Sequence, residues 1–198
     1  MTNASPPPAH VPWRLVLLLG ALTAFAPMSI DMYLSSLPSI GRTLNAAPDQ
    51  TQATLAAFFA GMAIGQVFYG PASDRFGRRP PLLVGIGLFI AASIVCALAP
   101  NIETLIAARF AQALGGCAGP VIARAVVRDR FSHTDTARVL SLMTLIMGLA
   151  PVLAPQLGGV VQFVAGWRGV FWSLALFGVL IATWVVLSLT ESRSAATE

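Results

Sequence analysis

Six apolar runs alternate along the chain with short polar stretches. They lie at Trp13–Leu37, Thr51–Gly70, Pro81–Ala99, Ile102–Val127, Ala137–Val164 and Val170–Leu189. Each is close to the length of about 20 apolar residues that a helix needs to cross a bilayer. A membrane barrel would instead show segments of about ten residues with alternating polarity. The pattern therefore predicts an all-α membrane protein, a six-transmembrane-helix bundle over residues 13–190. Residues 1–12 are predicted as a disordered cytoplasmic tail, because Ser5–Pro12 is proline-rich. Residues 191–198 are predicted to begin a central cytoplasmic loop.

The runs differ in texture. Helices one, two, four and five are rich in Gly, Pro and other small residues, which permit close helix approach or a kink. Helices three and six are Leu, Ile, Val and Phe nearly all round, and are predicted to face lipid. Pro48-Asp49-Gln50-Thr51 reads as the start of helix two, with Asp49 as its cap, and Pro100-Asn101-Ile102-Glu103 as the start of helix four. The segment from Pro38 to Gln50 reads as a loop.

Composition agrees with a membrane protein. Apolar residues make up 56% of the chain and charged residues only 10%, whereas soluble domains carry about 25% charge. The net positive charge is no nucleic-acid signal, because every basic residue is an arginine and the arginines gather at helix ends. Arg14, then Arg75, Arg78 and Arg79, then Arg124, Arg128, Arg130 and Arg138, then Arg193 fall on one side; only Arg42 and Arg168 fall on the other. Cytoplasmic loops hold the arginine excess, so both termini are predicted cytoplasmic. Ala24-Phe25-Ala26 imitates a signal-peptide cleavage site, but the apolar run continues past Pro27. Cys96 and Cys117 lie within apolar helices and read as packing residues. His10 lies in the tail and His133 in a polar loop. With no nucleophile, phosphate-loop or metal-ligand spacing, the chain is not expected to be an enzyme or to hold a metal or cofactor.

Two ionisable residues fall well inside the spans, Asp31 and Arg109. Such groups cost about 2.5–3.5 kcal/mol at a helix centre, and by default they mark a functional site. Asp31 precedes Pro38 by seven residues and Arg109 follows Ile102 by seven, so each sits about 10 Å below the same surface. One reading is a fixed ion pair; the other is a pair broken when Asp31 takes a proton. Gln112 shares a face with Arg109, and Gly116, Gly119 and Ala123 continue that stripe as if to leave a cavity. Met28, Met32 and Tyr33 accompany Asp31. In helix five, Pro151 and Pro155 predict a kink. The turn after helix two carries Asp74 among Arg75, Arg78 and Arg79, and positive-inside anchoring explains the arginines but not the aspartate.

These residues resemble a known family. Gly70-Pro71-Ala72-Ser73-Asp74-Arg75-Phe76-Gly77-Arg78-Arg79 is similar to the loop between helices two and three of the major facilitator superfamily, with Ala72 where a bulkier aliphatic is usual. Asp31-Met32-Tyr33-Leu34-x-x-Leu37-Pro38 resembles the helix-one signature of its bicyclomycin/chloramphenicol-resistance (Bcr/CflA) drug–proton antiporters, with Ser35 where proline is usual. Arg109-Phe110-x-Gln112-x-x-Gly115 resembles their helix-four motif. Ala154-Pro155-x-x-Gly158-Gly159 resembles the helix-five antiporter motif, with Ala150 and Ala154 in place of glycines.

The resemblance implies half of a major facilitator fold, with the three-plus-three inverted repeat that the texture of the helices also suggests. It implies proton-coupled efflux of small, largely apolar drugs across the bacterial inner membrane. Asp31, Arg109, Gln112, Met28 and Tyr33 would form the proton-coupling and substrate cavity. Gly70, Asp74, Arg75, Gly77, Arg78 and Arg79 would form a gating latch. Pro151, Ala154, Pro155, Gly158 and Gly159 would form the antiporter motif. The family has twelve helices, so the partners implied are membrane lipid, a small-molecule drug, protons, and a C-terminal six-helix half or a second copy. A shared face of Asp31, Gly61, Gly65, Arg109, Gln112, Ala154 and Gly158 is expected to lie exposed until that half covers it. Alternatives are a non-transporting fragment or subunit, and an uptake transporter for a metabolite.

Overall fold

The structure is a computed structural model that describes residues 13–189. The predicted tail at 1–12 and the loop at 191–198 lie outside the described residues. Eight helices follow in order: α1 (Trp13–Thr23), α2 (Phe25–Leu34), α3 (Leu37–Leu44), α4 (Pro48–Phe76), α5 (Arg79–Leu98), α6 (Ile102–Gly116), α7 (Ala118–Arg130) and α8 (His133–Ser188). No strand occurs among the described residues.

By length and apolar composition the eight helices offer four spans, or five with α1 and α2 taken as one, and the break in α8 divides its span in two. α1 and α2 are one apolar span bent by 45° at Ala24. α4 and α5 each cross once, and α6 with α7 forms a 29-residue span. α8 has 56 residues, about 84 Å at helical rise, far more than one bilayer requires. It breaks at Gly166, whose φ of 68° and ψ of −178° belong to a region open essentially to glycine alone. Residues 133–165 and 167–188 are therefore two crossings. Arg168 anchors the break: its Nη2 donates to the carbonyl of Ala99 at 3.1 Å, and its guanidinium lies 4.2 Å from the Trp167 ring centre.

Helix starts follow local chemistry. Asn101 Oδ1 accepts from Thr104 N at 2.8 Å, with Glu103 in the first turn, as predicted. At α4 the capping side chain is Gln50, which accepts from Ala47 N at 2.9 Å, rather than Asp49. The expected loop from Pro38 contains α3, and the chain turns only at Asn45, whose φ of 49° is left-handed. α3 is tied to α8 by Gln162, which accepts from Ser36 Oγ at 3.0 Å and donates to Ser39 Oγ at 2.8 Å. α4 runs six residues past the predicted end at Gly70, and Gly70 is helical. The turn that follows is confined to Gly77, with φ 87° and ψ 172°.

The core gathers Leu18, Leu19 and Leu22 of α1, Phe25 and Tyr33 of α2, Leu82, Ile86 and Phe89 of α5, and Phe171 and Leu174 of α8. One expectation is half met and one fails. Helix three was to face lipid, and α5 exposes Val84, Leu88, Val95 and Leu98 on one side while half of its most apolar stretch is buried. Its Leu82, Ile86, Phe89 and Ser93 stand where α6 and α8 converge on it. The second is the shared small-residue face. Gly61, Gly65, Arg109, Gln112, Ala154 and Gly158 are all buried within the bundle, and only Asp31 is part-exposed. The reason is close packing. An added methyl at Gly61 would collide with the Phe110 carbonyl, at Gly65 with Cys117 Sγ, and at Gly158 with the Met32 carbonyl. The expected cavity beside α7 is closed in the same way, since Gly119 packs on the Leu22 carbonyl.

These close approaches set a testable contrast. Gly158→Ala is expected to lose about 1–3 kcal/mol of stability, the usual cost of overpacking. Gly148→Ala, where nothing lies within 4 Å, is expected to be neutral or to gain up to about 1 kcal/mol of helix propensity. Unfolding in mild detergent, followed by helical circular dichroism, measures both; equal losses would show that the α2–α8 approach is looser than described.

Candidate functional site

Arg109 is the largest fully buried side chain, with no exposed surface. Five helices meet at it. Its guanidinium carbon lies 4.2 Å from the ring centre of Phe58 on α4, 4.4 Å from Tyr33 on α2 and 5.9 Å from Phe171 on α8. On its own helix, Nη1 donates to Gln112 Oε1 at 2.7 Å; Gln112 Nε2 then donates to Ser93 Oγ of α5 at 2.7 Å, and Ser93 Oγ to the carbonyl of Phe89 at 2.7 Å. The chain of donors therefore ends on a backbone acceptor. Among the described residues Arg109 Nε and Nη2 have no hydrogen-bond partner.

The aromatic rings are the local compensation. The negative face of an aromatic ring attracts a guanidinium, by about 2 kcal/mol or more when both are desolvated. Tyr33 is itself fixed by a 2.5 Å hydrogen bond with Thr54 Oγ1. Because the Thr54 hydroxyl donates to the Thr51 carbonyl at 2.6 Å, Tyr33 is the donor of that bond.

Asp31 does not join this group. It is half-buried on α2, and no carboxylate lies within the 4.0 Å ion-pair distance of Arg109 among the described residues. The expected fixed ion pair is absent for a structural reason. The guanidinium is taken up by Gln112 and by the face of Tyr33, two residues along from Asp31 on the same helix. Met28 is half-buried against the core and Met32 is buried, its carbonyl lying close to Gly158 and accepting from Ser35 Oγ at 3.0 Å.

At the arginine-rich end, Arg78 links three elements. Its Nη1 donates to Asp74 Oδ1 at 2.5 Å and to Ser73 Oγ at 2.9 Å, both on α4; its Nε donates to Asp129 Oδ2 of α7 at 2.7 Å. The hydrogen bond from Arg78 to Asp129, and then that to Asp74, hold its proton more firmly than usual and outweigh the opposing desolvation. Arg79 Nη2 donates to the carbonyl of Val186 at 3.0 Å, tying α5 to the end of α8. Arg75 lies over the ring of Phe76. The cluster spans 74–79 as expected, but Asp129 was missed. It lies 51 residues from Arg78, and only the approach of α7 to the α4–α5 turn brings it there. Ser93 was also missed, because a serine in a uniformly apolar helix gives no periodic signal.

In α8, Ala154 and Gly158 face α2 and are buried, while Pro151 and Pro155 point outward and are exposed. Gly159 has open space around its α-carbon. The backbone stays helical through both prolines, and the only break is at Gly166. Cys96 and Cys117 are free and buried.

The structure thus places apolar helices around one buried arginine, with a charged cluster at one end. The chain belongs to the Major Facilitator Superfamily, whose family model matches residues 19–198. It is 43% identical over 180 residues to the MFS-type transporter YdgK of Bacillus subtilis (strain 168), covering 90% of this chain and 45% of the relative. It is 38% identical over 183 residues to Multidrug resistance protein MdtL of Escherichia coli (strain K12), covering 92% of this chain and 47% of that one. The chain thus spans about half the length of the curated relatives it matches. Among solved structures, a bacterial homologue of the human lysosomal transporter Spinster superposes with a TM-score of 0.76 at 18% identity, over 98% of this chain and 46% of that one. A D-xylose–proton symporter does so with 0.72 at 17%, over 91% and 48%. Both show the fold.

The Arg109 site separates charge from hydrogen bonding in a measurable way. Arg109→Met removes a buried cation with no carboxylate partner among the described residues but also orphans Gln112 Oε1, and is expected to change thermal stability little. Ser93→Ala, which orphans Gln112 Nε2, is expected to cost about 1–3 kcal/mol. Should Arg109→Met prove the more damaging in a thermal melt, the arginine is compensated more fully than the contacts indicate.

Proposed function

We propose that the chain is the N-terminal six-helix half of a proton-coupled drug antiporter of the Bcr/CflA type. It lies in the bacterial inner membrane with both termini cytoplasmic. In the assembled transporter a small, largely apolar drug leaves as protons enter, the second six-helix half supplying the other wall of the cavity. The observation that carries this reading is Arg109, a cation with no exposed surface, boxed by three rings and without a carboxylate partner among the described residues. An ionisable group at membrane depth without a counter-ion marks a functional site by default. The likeness to a protein named Multidrug resistance protein MdtL supports drugs as the substrate class.

The roles follow from placement. Asp31, half-buried and unpaired, is the group that water can reach and that takes the proton. Tyr33 stands between it and Arg109 and passes on the change through its ring and its bond to Thr54. Gln112 holds Arg109 in register. Met28 offers an adaptable apolar contact to the drug. Asp74, Arg75, Gly77, Arg78 and Arg79 latch the cytoplasmic end, with Asp129 as the third charge. Ala154 and Gly158, packed on α2, let helix five move with helix one, while Pro151, Pro155 and Gly159 face outward toward the partner half.

Dye efflux from cells stripped of their own pumps tests the assignment. The chain alone is expected to insert and give no efflux. Co-expressed with the C-terminal half of the Escherichia coli relative, it is expected to export ethidium until a protonophore collapses the gradient. In that complex Asp31→Asn should remove the dependence on the proton gradient, and a complex whose efflux ignores both changes contradicts the proton role. Strong efflux by the chain alone points instead to two copies forming the transporter. For the latch, Arg78→Ala is expected to change cysteine-labelling rates on the two sides of the membrane while leaving insertion intact; unchanged rates would remove the gating role.

A further inference from the structure

At the arginine-rich end, two contiguous hollows of 320 and 280 Å³ open between α1, α7 and α8, sharing Arg124 and Leu140 as lining residues. One also carries Arg128, the other Met143 and Met147. Pockets for drug-sized ligands begin at about 300 Å³. Arg124 is 15 residues beyond Arg109, about 22 Å along the α6–α7 span, so this space is separate from the buried arginine site.

Arg124 and Arg128 are both exposed. An anchoring arginine extends toward water at the end of its helix. Arg124 is instead bent back along its helix. Its Nε donates to the carbonyl of Pro120 at 3.0 Å, one turn toward the membrane interior, and this holds the guanidinium beside the hollow. Nη1 and Nη2 make no hydrogen bond among the described residues, and neither Arg124 nor Arg128 lies within 4.0 Å of a carboxylate. Asp129, next to Arg128 in sequence, faces away and is taken by Arg78. Two guanidiniums four residues apart on one helix face repel each other, and no carboxylate among the described residues pairs with them. The Thr144 hydroxyl spends its proton on the Leu140 carbonyl, so the arginines are the donors of the cleft. Leu140, the buried Met143 and the half-exposed Met147 form the apolar side.

We propose that this cleft binds a small amphipathic organic anion: Arg124 and Arg128 take its carboxylate, phosphate or sulfonate, and Leu140, Met143 and Met147 take its apolar body. The planar fork of a guanidinium matches such oxyanions in two-point contact, and methionine adapts to varied apolar shapes. The inference rests on the proposed transport reading, to which it adds a second station at the cytoplasmic mouth and a preference for negative charge.

The test reads binding rather than efflux, so it can fail while the transport reading stands, and the reverse. The full chain is placed in phosphatidylcholine nanodiscs and titrated with 1-anilinonaphthalene-8-sulfonate, with empty nanodiscs subtracted; N-phenyl-1-naphthylamine is the neutral comparison. Saturable binding of the sulfonate is expected, weakened about tenfold or more in Arg124→Gln/Arg128→Gln, with the neutral probe little changed. Equal sulfonate affinity in the double variant overturns the proposal. Should that variant misfold, the unsubstituted chain decides. Saturating sulfonate is expected to shield Arg124, but not Arg14, from phenylglyoxal, and absence of shielding overturns the proposal. A third arm adds phosphatidylglycerol to the nanodiscs. Retained sulfonate binding supports a small free anion, whereas its loss identifies the cleft as a lipid-headgroup seat and overturns the assignment.

Discussion

Placing a guanidinium among apolar helices takes it out of water, and in proteins that still costs several kcal/mol per ion after relaxation. In this chain the cost is met without a counter-ion. The faces of Tyr33, Phe58 and Phe171 surround Arg109, and one row of donors runs through Gln112 and Ser93 to the Phe89 carbonyl. These groups come from α2, α4, α5, α6 and α8, so the cage exists only if all five helices stand close together. The arginine thus ties the registers of the whole bundle to one another. A slip of one residue in any of the five would turn a ring or a donor away.

The closeness comes from residues almost without side chains. Gly61 and Gly65 let α4 rest on the backbone of α6, Gly85 and Gly115 seat α5 against α6, and Gly158 brings α8 onto the carbonyl of Met32. Without a hydrophobic drive between helices in lipid, such packing and a few interhelical hydrogen bonds hold the bundle. The face of α4 opposite these glycines carries Phe59, Val67 and Phe68, all exposed, and so does the outer face of 133–165 with Val152, Val160 and Phe163. The surface available to lipid or to a second six-helix half is therefore large and apolar, while the small residues lie inside.

Much of this was legible in the sequence. The apolar runs gave the number and order of the crossings, because bilayer thickness fixes helix length. The cap at Asn101, the turn at Gly77 and the pair Asp74–Arg78 followed from local chemistry. What could not be read was facing. Small residues mark a close contact, but not whether the contact is within the bundle or with another one, and here Gly61, Gly65 and Gly158 are internal. Equal depth placed Asp31 near Arg109, but depth leaves the angle around each helix open, and Tyr33 rather than Asp31 meets the guanidinium. The prolines of helix five leave the backbone dihedrals helical, and the break comes at Gly166, inside the turn expected between helices five and six, where the dihedral angles demand glycine. Asp129 and Ser93 act through contacts between distant segments, which no local pattern encodes.

Arg109 is sealed inside a half-bundle that needs no second half to bury it. Arginine-selective labelling of the purified chain in nanodiscs with phenylglyoxal, read residue by residue by mass spectrometry, tests this directly. Arg109 is expected to stay unmodified while Arg14, Arg42 and Arg124, all exposed, react, and to become reactive only when the chain is unfolded. Modification of Arg109 in the folded chain at the rate of those exposed arginines would contradict the account.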